Sequence, residues 1–427
     1  MALWGGTAGF VAAFVAALML ILPACSSESA APPERIILIL IDTLRRDHLS
    51  CYGGKAPTPN LDALAGRGQI FSNAYSAFHW TTPSMSALFT GHTPSLDSTD
   101  GMKAILWNRD TWCGLARFFK PDPGERCLPR SLPTLAGTMR DAGYWTAGVT
   151  SNLLLFKPAG YARGFDAWRE VGGHWGSGKG ELAEDAPDWT LRTGERVNEE
   201  VSDVLGSRPG DRFFLYVHFM DTHDYMLAGI PYAEGVAKAD AAVGDLMKRL
   251  EELGLLEGSV VIVTADHGEK LGETHVVPGM PNHGGNPSFE ELLQVPLIVS
   301  PARFADESKI LRTDDVFRML IEMAGAPPPR KSDLAPGELY VSEWTFRTYR
   351  KGRWKSFQSR QQPKAILVDL ESDPGEITDL ADRHPDVLEA HRKRTDELAA
   401  SFAAKNVSKV GMSPQDRERL KALGYLQ

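Results

Sequence analysis

The sequence predicts an α/β fold: a large, mostly parallel central sheet flanked by helices, then a small C-terminal antiparallel sheet with a closing helix. Three observations carry this expectation. Continuous apolar, β-branched runs recur along the chain, as in strands buried on both faces. Segments with helical spacing lie between those runs. After about residue 305 the pattern changes to short strand-like pieces divided by Pro- and Gly-rich punctuation.

The first run is Ile36–Ile41, and Trp145–Thr150, Phe213–Phe219, Val260–Thr264 and Val295–Val299 follow. Leu132–Ala142 reads as a helix closed by Gly143, and Ala233–Leu253 as a longer one closed by Gly254. Thr82 and Pro83 read as the cap and first residue of a helix. Beyond residue 305, Leu339–Trp344, Trp354–Gln358 and Ala365–Asp369 are strand-like, and Pro385–Lys405 is a charged helix.

Composition narrows the class. The 427 residues carry 46 Lys and Arg against 55 Asp and Glu, a net charge of −9, with 43% hydrophobic residues. These values exclude a disordered or coiled-coil chain. An acidic chain without a Lys/Arg block argues against a nucleic-acid partner. Four cysteines with no CxxC pair argue against a zinc ribbon or a disulfide scaffold.

Residues 1–24 hold no charged side chain, and Phe10–Leu22 is almost wholly apolar. This reads as a signal peptide. The ending Leu22-Pro23-Ala24-Cys25 resembles a bacterial lipobox, although no Lys or Arg precedes the apolar core. The expected organisation is a signal peptide over 1–24, a lipidated tether over 25–34, a catalytic domain over 35–305 and a C-terminal subdomain over 306–427. The expected location is the bacterial cell envelope, as an exported lipoprotein with a lipid anchor to the membrane. A single membrane-spanning anchor is the alternative. An oxidising compartment would suit a Cys113–Cys127 bridge, with Cys51 a packed, unpaired residue.

Two strand ends carry candidate metal ligands. Ile36–Ile41 runs into Asp42, and Val260–Thr264 into Ala265-Asp266-His267. Functional groups of open α/β sheets gather at the carboxyl ends of strands. Asp42, Asp266 and His267 converging there suit a divalent metal such as Mn or Zn, with Ca or Mg less well matched to an imidazole. An Asp at such a point can also be a simple N-cap. Thr81, beside a helix N-terminus that favours anions, is a candidate nucleophile.

The chain resembles the sulfatases of the alkaline phosphatase superfamily. The resemblance runs through Ile36–Leu44 with Arg45-Arg46-Asp47-His48, Thr58-Pro59-Asn60, Thr81-x-Pro83-Ser84, Leu88–Gly91, Gly164-Phe165-Asp166, His218-Phe219-Met220-Asp221-Thr222-His223, Thr264–Glu269, His283-Gly284 and Asp369–Glu376. It implies an alkaline-phosphatase-like sandwich. It also implies metal ligation by Asp42, Asp266, His267 and Thr81, a nucleophile at Thr81, and pocket roles for His218, His223 and Lys270 in catalysis and for His283 and Arg45 in substrate binding.

The departures matter as much. Sulfatases carry Cys or Ser at the nucleophile position, oxidised to formylglycine, with Arg four residues on; here the residues are Thr81 and Met85. The Thr β-carbon bears a methyl group, so no formylglycine is expected. The common double Asp is Asp42-Thr43. The resulting expectation is a metal-dependent hydrolase of a sulfate or phosphate ester, on a glycan, lipid or small molecule, attacking through Thr81. The alternatives are a catalytically silent lipoprotein of the same fold that binds an anionic glycan or partner, and a phosphoryl-group transferase.

Overall fold

The computed structural model describes residues 1–2, 31–95, 97, 128, 132–155, 157–172, 193–279, 283, 287–304, 310–343, 345–361 and 364–404. The expected signal peptide (beyond Met1 and Ala2), Cys25, most of the tether, and Cys113 and Cys127 lie outside the described residues. The described residues from Pro32 to Ala404 form one compact unit.

The large sheet has seven strands: β1 (Arg35–Ile41), β2 (Gln69–Ile70), β4 (Trp145–Thr150), β5 (Ala167–Glu170), β6 (Phe213–Phe219), β7 (Ser259–Thr264) and β8 (Leu297–Ser300). Their spatial order is β2-β8-β7-β1-β6-β4-β5. The five strands from β7 to β5 run parallel. β1 is central, and Ile36–Ile41 are fully buried. Each such aliphatic side chain contributes about 1.5–3 kcal/mol through burial, so this strand is a core element rather than an edge. Among the described residues, α1 (Pro59–Gly66), α4 (Gly194–Gly206) and α5 (Tyr232–Glu252) pack as one group, and α2 (Thr81–Thr90), α3 (Leu135–Asp141) and α6 (Thr313–Met323) as another.

Two expectations need correction here. The apolar run at Val295–Val299 forms β8, but β8 lies antiparallel to β7. Burial on both faces made the run apolar, and burial carries no information about direction. The helix of the Thr81 segment begins two residues early. Trp80 is extended and occupies the N-cap position, so Thr81 is the first helical residue and Pro83 the third. Pro83 fits because the first N–H groups of a helix have no intrahelical partner to lose.

The second sheet is antiparallel throughout, with order β10 (Glu338–Ser342), β11 (Phe346–Lys351), β12 (Trp354–Ser359) and β13 (Ala365–Asp369). α7 (Pro385–Ala404) packs on β11, β12 and β13. β11 went unread in the sequence, because Arg347, Arg350 and Lys351 break its apolar pattern. A buried ion network ties the second sheet to the helical turn Glu290–Leu293 and to Glu376. Glu290 accepts from Arg350 at 2.9 Å and from Lys355 at 2.9 Å, and Lys355 also meets Glu376 at 2.7 Å. Two short strands, β3 (Ala74–Tyr75) and β9 (Leu311–Arg312), pair separately.

Candidate active site

The strand register builds the site. Thr150, His218, Leu40 and Thr264 lie in one row across β4, β6, β1 and β7. Two residues further along three of those strands come Asn152, Asp42 and Asp266, side by side beyond the carboxyl edge. The parallel alignment therefore brings together residues more than 100 positions apart in the chain.

Each carboxylate is half satisfied. Asp42 Oδ2 accepts from Asn152 Nδ2 at 2.6 Å and pairs with His218 Nε2 at 3.1 Å. Asp266 Oδ1 accepts from the backbone N–H of Thr43 at 3.1 Å and of His267 at 2.9 Å. The other two oxygens, Asp42 Oδ1 and Asp266 Oδ2, are buried with no hydrogen-bond partner. Such groups cost free energy unless something compensates them. Burial alone would raise the Asp42 carboxyl. The hydrogen bond from His218 and the charges of His223 and His218 hold it well below its ordinary range. Burial and the charge of Asp42 push Asp266 up.

His267 supplies a third donor. Its Nδ1 lies 2.8 Å from the Gly268 carbonyl, which can only accept, so Nδ1 is assigned the proton. Burial, with His283 next, pushes the ring down to about 3, and it is neutral. The Nε2 lone pair then faces Thr81 Oγ1 at 3.3 Å and Asp266 Oδ2 at 3.4 Å. Gly268 makes this placement possible. A Cβ there would lie 1.9 Å from the Glu291 carbonyl. Donor atoms of Asp42, Asp266 and His267 all lie within 4.8 Å of one another. Two orphaned carboxylate oxygens and an imidazole lone pair converging on one point fit a divalent cation.

A second donor cluster, His275, Glu291 and Glu376, differs in kind. The Lys355 ammonium already meets Glu376, and His275 Nε2 pairs with Glu291 at 2.6 Å. Its negative charge has cationic partners.

The other expected residues are placed as follows. His218 is buried, with Nδ1 2.8 Å from the Tyr216 hydroxyl. The His283 ring lies 4.6 Å from that of His267 and 5.8 Å from that of His223. His283 Nδ1 is 3.3 Å from both Glu269 carboxylate oxygens, and His223 Nδ1 is 3.0 Å from Asp224. Lys270 follows on the same loop, its backbone N–H 3.3 Å from Glu269 Oε1. Arg45 spends its guanidinium on Asp47 (3.0 and 2.7 Å), Glu273 (2.5 Å) and the Glu269 carbonyl (3.0 Å), so it braces the loop that carries Lys270.

Sequence reasoning passed over four contributors. Asn152 sits just past the strand Trp145–Thr150, where the rule that selected Asp42 and Asp266 also applies. Tyr216 stands two residues before His218 on the same face of β6. Tyr232, on α5, donates to the Thr43 carbonyl at 2.6 Å and accepts from the Arg45 N–H at 2.9 Å. His79 is buried between Phe78 and Trp80, with Nδ1 3.0 Å from Ser288 Oγ. The last two carried no local motif.

Comparison with known proteins places the fold in a family. The sulfatase family profile matches residues 34–326. An N-acetylgalactosamine-6-O-sulfatase of Bacteroides thetaiotaomicron is 23% identical, covering 83% of this chain and 90% of the relative. A phosphonate monoester hydrolase of Agrobacterium radiobacter superposes with a TM-score of 0.62 at 17% identity, over 90% of this chain and 98% of that one. A structure in complex with its substrate D-glucosamine-2-N,6-O-disulfate superposes at 0.63 with 15% identity, over 89% and 100%. The chain belongs to the sulfatase family and is a sulfatase-like hydrolase.

Proposed function

We propose that this protein hydrolyses sulfate esters of glycans, with Thr81 as nucleophile and a divalent cation, Mn or Zn, held by Asp42, Asp266, His267 and Thr81. One observation carries the reading: two buried carboxylate oxygens without partners stand beside a hydroxyl and an imidazole lone pair. The glycan part rests on the sulfated-sugar substrates named for the relatives. Imidazole among the donors favours Mn or Zn over Ca.

When bound, the cation would supply Lewis acidity, favouring the Thr81 alkoxide and offsetting the charge of the ester. Thr81 Oγ1 attacks sulfur and the bond to the sugar oxygen breaks, leaving a sulfate ester on Thr81. His283 braced by Glu269, and His223 braced by Asp224, are the groups that take up the Thr81 proton and return one to the departing sugar oxygen. Water then attacks the same sulfur, releasing sulfate and restoring the hydroxyl. The methyl on the Thr81 β-carbon excludes a formylglycine route.

A phosphorus ester is the second reading. An alkoxide nucleophile suits phosphoryl transfer, and the fold is shared with a phosphonate monoester hydrolase. The discriminating experiment compares sulfated saccharides with matched aryl sulfate, phosphate and phosphonate esters, for wild type and Thr81→Ala, with Mn, Zn, Ca or Mg added. Thr81-dependent sulfate release supports the first reading. Turnover confined to phosphorus esters replaces it with the second. Full activity in Thr81→Ala sinks the assigned nucleophile.

Export and lipid anchoring belong to this proposal and rest on Phe10–Cys25 alone. The catalytic unit would then act outside the cytoplasm, in the cell envelope. Mass spectrometry of the mature N-terminus is the check. A diacylated Cys25 supports the anchor, and an uncleaved Met1 terminus overturns it.

A further inference from the structure

We infer that Asn152 is a positioning residue that restricts Asp42 to a single free oxygen and so sets both the strength and the selectivity of cation binding. The inference rests on the cation site proposed above.

The amide orientation follows from its partners. Asn152 Oδ1 accepts from the Leu154 backbone N–H at 2.9 Å, which leaves Nδ2 as the group facing Asp42 Oδ2 at 2.6 Å. The backbone N–H of Asn152 is itself held by Thr150 Oγ1 at 3.1 Å. The residue is 3% exposed. It is therefore fixed at three points in a dry setting. Nδ2 has no lone pair to offer, so Asn152 is not a ligand.

His218 Nε2 approaches the same oxygen of Asp42 at 3.1 Å. Two N–H groups thus occupy Oδ2, and Oδ1 alone stays open. Asp266 is restricted in the mirrored way, by the N–H groups of Thr43 and His267 on Oδ1. A site offering one oxygen per carboxylate suits a cation of low coordination number with a nitrogen ligand. Calcium takes six to eight oxygens and often takes carboxylates through both. Removing Nδ2 frees part of Oδ2, so Asp42 becomes both less fixed and able to chelate.

Two variants separate this role from a purely structural one. Asn152→Ser keeps an oxygen near the Leu154 N–H but falls one bond short of Asp42. Asn152→Ala loses both contacts. The full-length proteins, stripped of metal, are titrated with Mn and with Ca by calorimetry, and melted without cation. The inference expects both variants to bind Mn about ten-fold or more weakly, as orienting partners of metal ligands typically do, with the Mn-to-Ca affinity ratio reduced in each. The Ser variant should melt close to wild type without cation. A Ser variant with Mn affinity and Mn-to-Ca ratio within two-fold of wild type overturns the role of Asn152 while leaving the cation site standing. A wild type that binds neither ion removes the cation site and this inference with it. Should Asn152→Ala fail to fold, the Ser variant alone decides.

Discussion

Thr43 donates its backbone N–H to Asp266 Oδ1 at 3.1 Å from a left-handed conformation, with φ at 57°. A β-branched residue is an outlier there, at a cost on the order of 1–3 kcal/mol. The conformation persists because three contacts enforce it: the bond to Asp266, Thr43 Oγ1 to the Asp42 carbonyl at 2.7 Å, and Tyr232 to the Thr43 carbonyl. The strain aims the amide at the carboxylate of Asp266, one of the proposed cation ligands. Thr43→Gly removes the strain and loses a buried methyl, so its stability should fall within about 1 kcal/mol of wild type. Thr43→Val keeps the strain and loses the hydroxyl bond, and should be destabilised by about 1 kcal/mol. Denaturant melts of the metal-free proteins distinguish them. A Val variant more stable than the Gly variant would contradict the strain.

Cation removal should destabilise the protein in a pH-dependent way. The folded state holds Asp266 with its pKa raised, first by burial and then by Asp42. A carboxyl raised on folding binds more protons in the native state than in the unfolded one. Stability of the metal-free protein is therefore highest at low pH with respect to this group and falls as pH rises past the ordinary carboxyl range near 4. Bound cation reverses the preference. Melting temperatures should fall on chelation, and the loss should be greater at pH 7 than at pH 5. Asp266→Asn should melt higher than metal-free wild type at pH 7 and show no response to Mn. A chelation effect that is equal at both pH values would count against this assignment.

The strand-end rule found Asp42, Asp266 and His267 because an ionisable residue ending an apolar run is visible locally. Asn152 obeys the same rule, yet an amide carries no charge to draw notice, and its value appears only when β4 and β1 are aligned. The direction of β8 was hidden because a strand buried on both faces is apolar whichever way it runs. β11 was hidden for the opposite reason. Arg350 is buried through its partner Glu290, contributed from 60 positions away, and so reads as surface. Arg45 carries the family's motif, while its partners Glu273 and Glu269 are set by folding alone. Local pattern thus reports burial and chemistry, whereas pairing across the chain decides which charges are spent and which remain available.

The ion network around Lys355 makes a separate claim on stability. Lys355 is fully buried and meets Glu290 at 2.9 Å and Glu376 at 2.7 Å. Opposing charges keep it ionised despite the desolvation that burial imposes. Removing one member of such a group leaves its partners charged and dry, which costs about 3–5 kcal/mol. Lys355→Met should lose stability of that order. The double variant Lys355→Met with Glu290→Gln should recover part of it, because one stranded carboxylate has gone. Additive losses would mean that the two residues do not interact.

His275 ties the loop after Lys270 to the short helical turn Glu290–Leu293, and it should make that tie pH-dependent. Its Nε2 lies 2.6 Å from Glu291 and its Nδ1 2.9 Å from the Gly375 carbonyl, with the ring stacked on Phe289 at 3.8 Å. Burial alone would lower its pKa, but the hydrogen bond and charge of Glu291 and the Gly375 carbonyl outweigh it and the net shift is upward. A histidine raised on folding contributes stability that is complete below its unfolded value of about 6.5 and is lost as pH rises through the folded value. Acidic neighbours dominate the surroundings: Glu291 contacts the ring, and Glu376 adds its charge while itself held by Lys355. Melting temperature should therefore decline from pH 6 towards pH 8.5 in wild type, and His275→Gln should flatten that slope while lowering stability at pH 6. A slope unchanged by His275→Gln would assign the decline to another group.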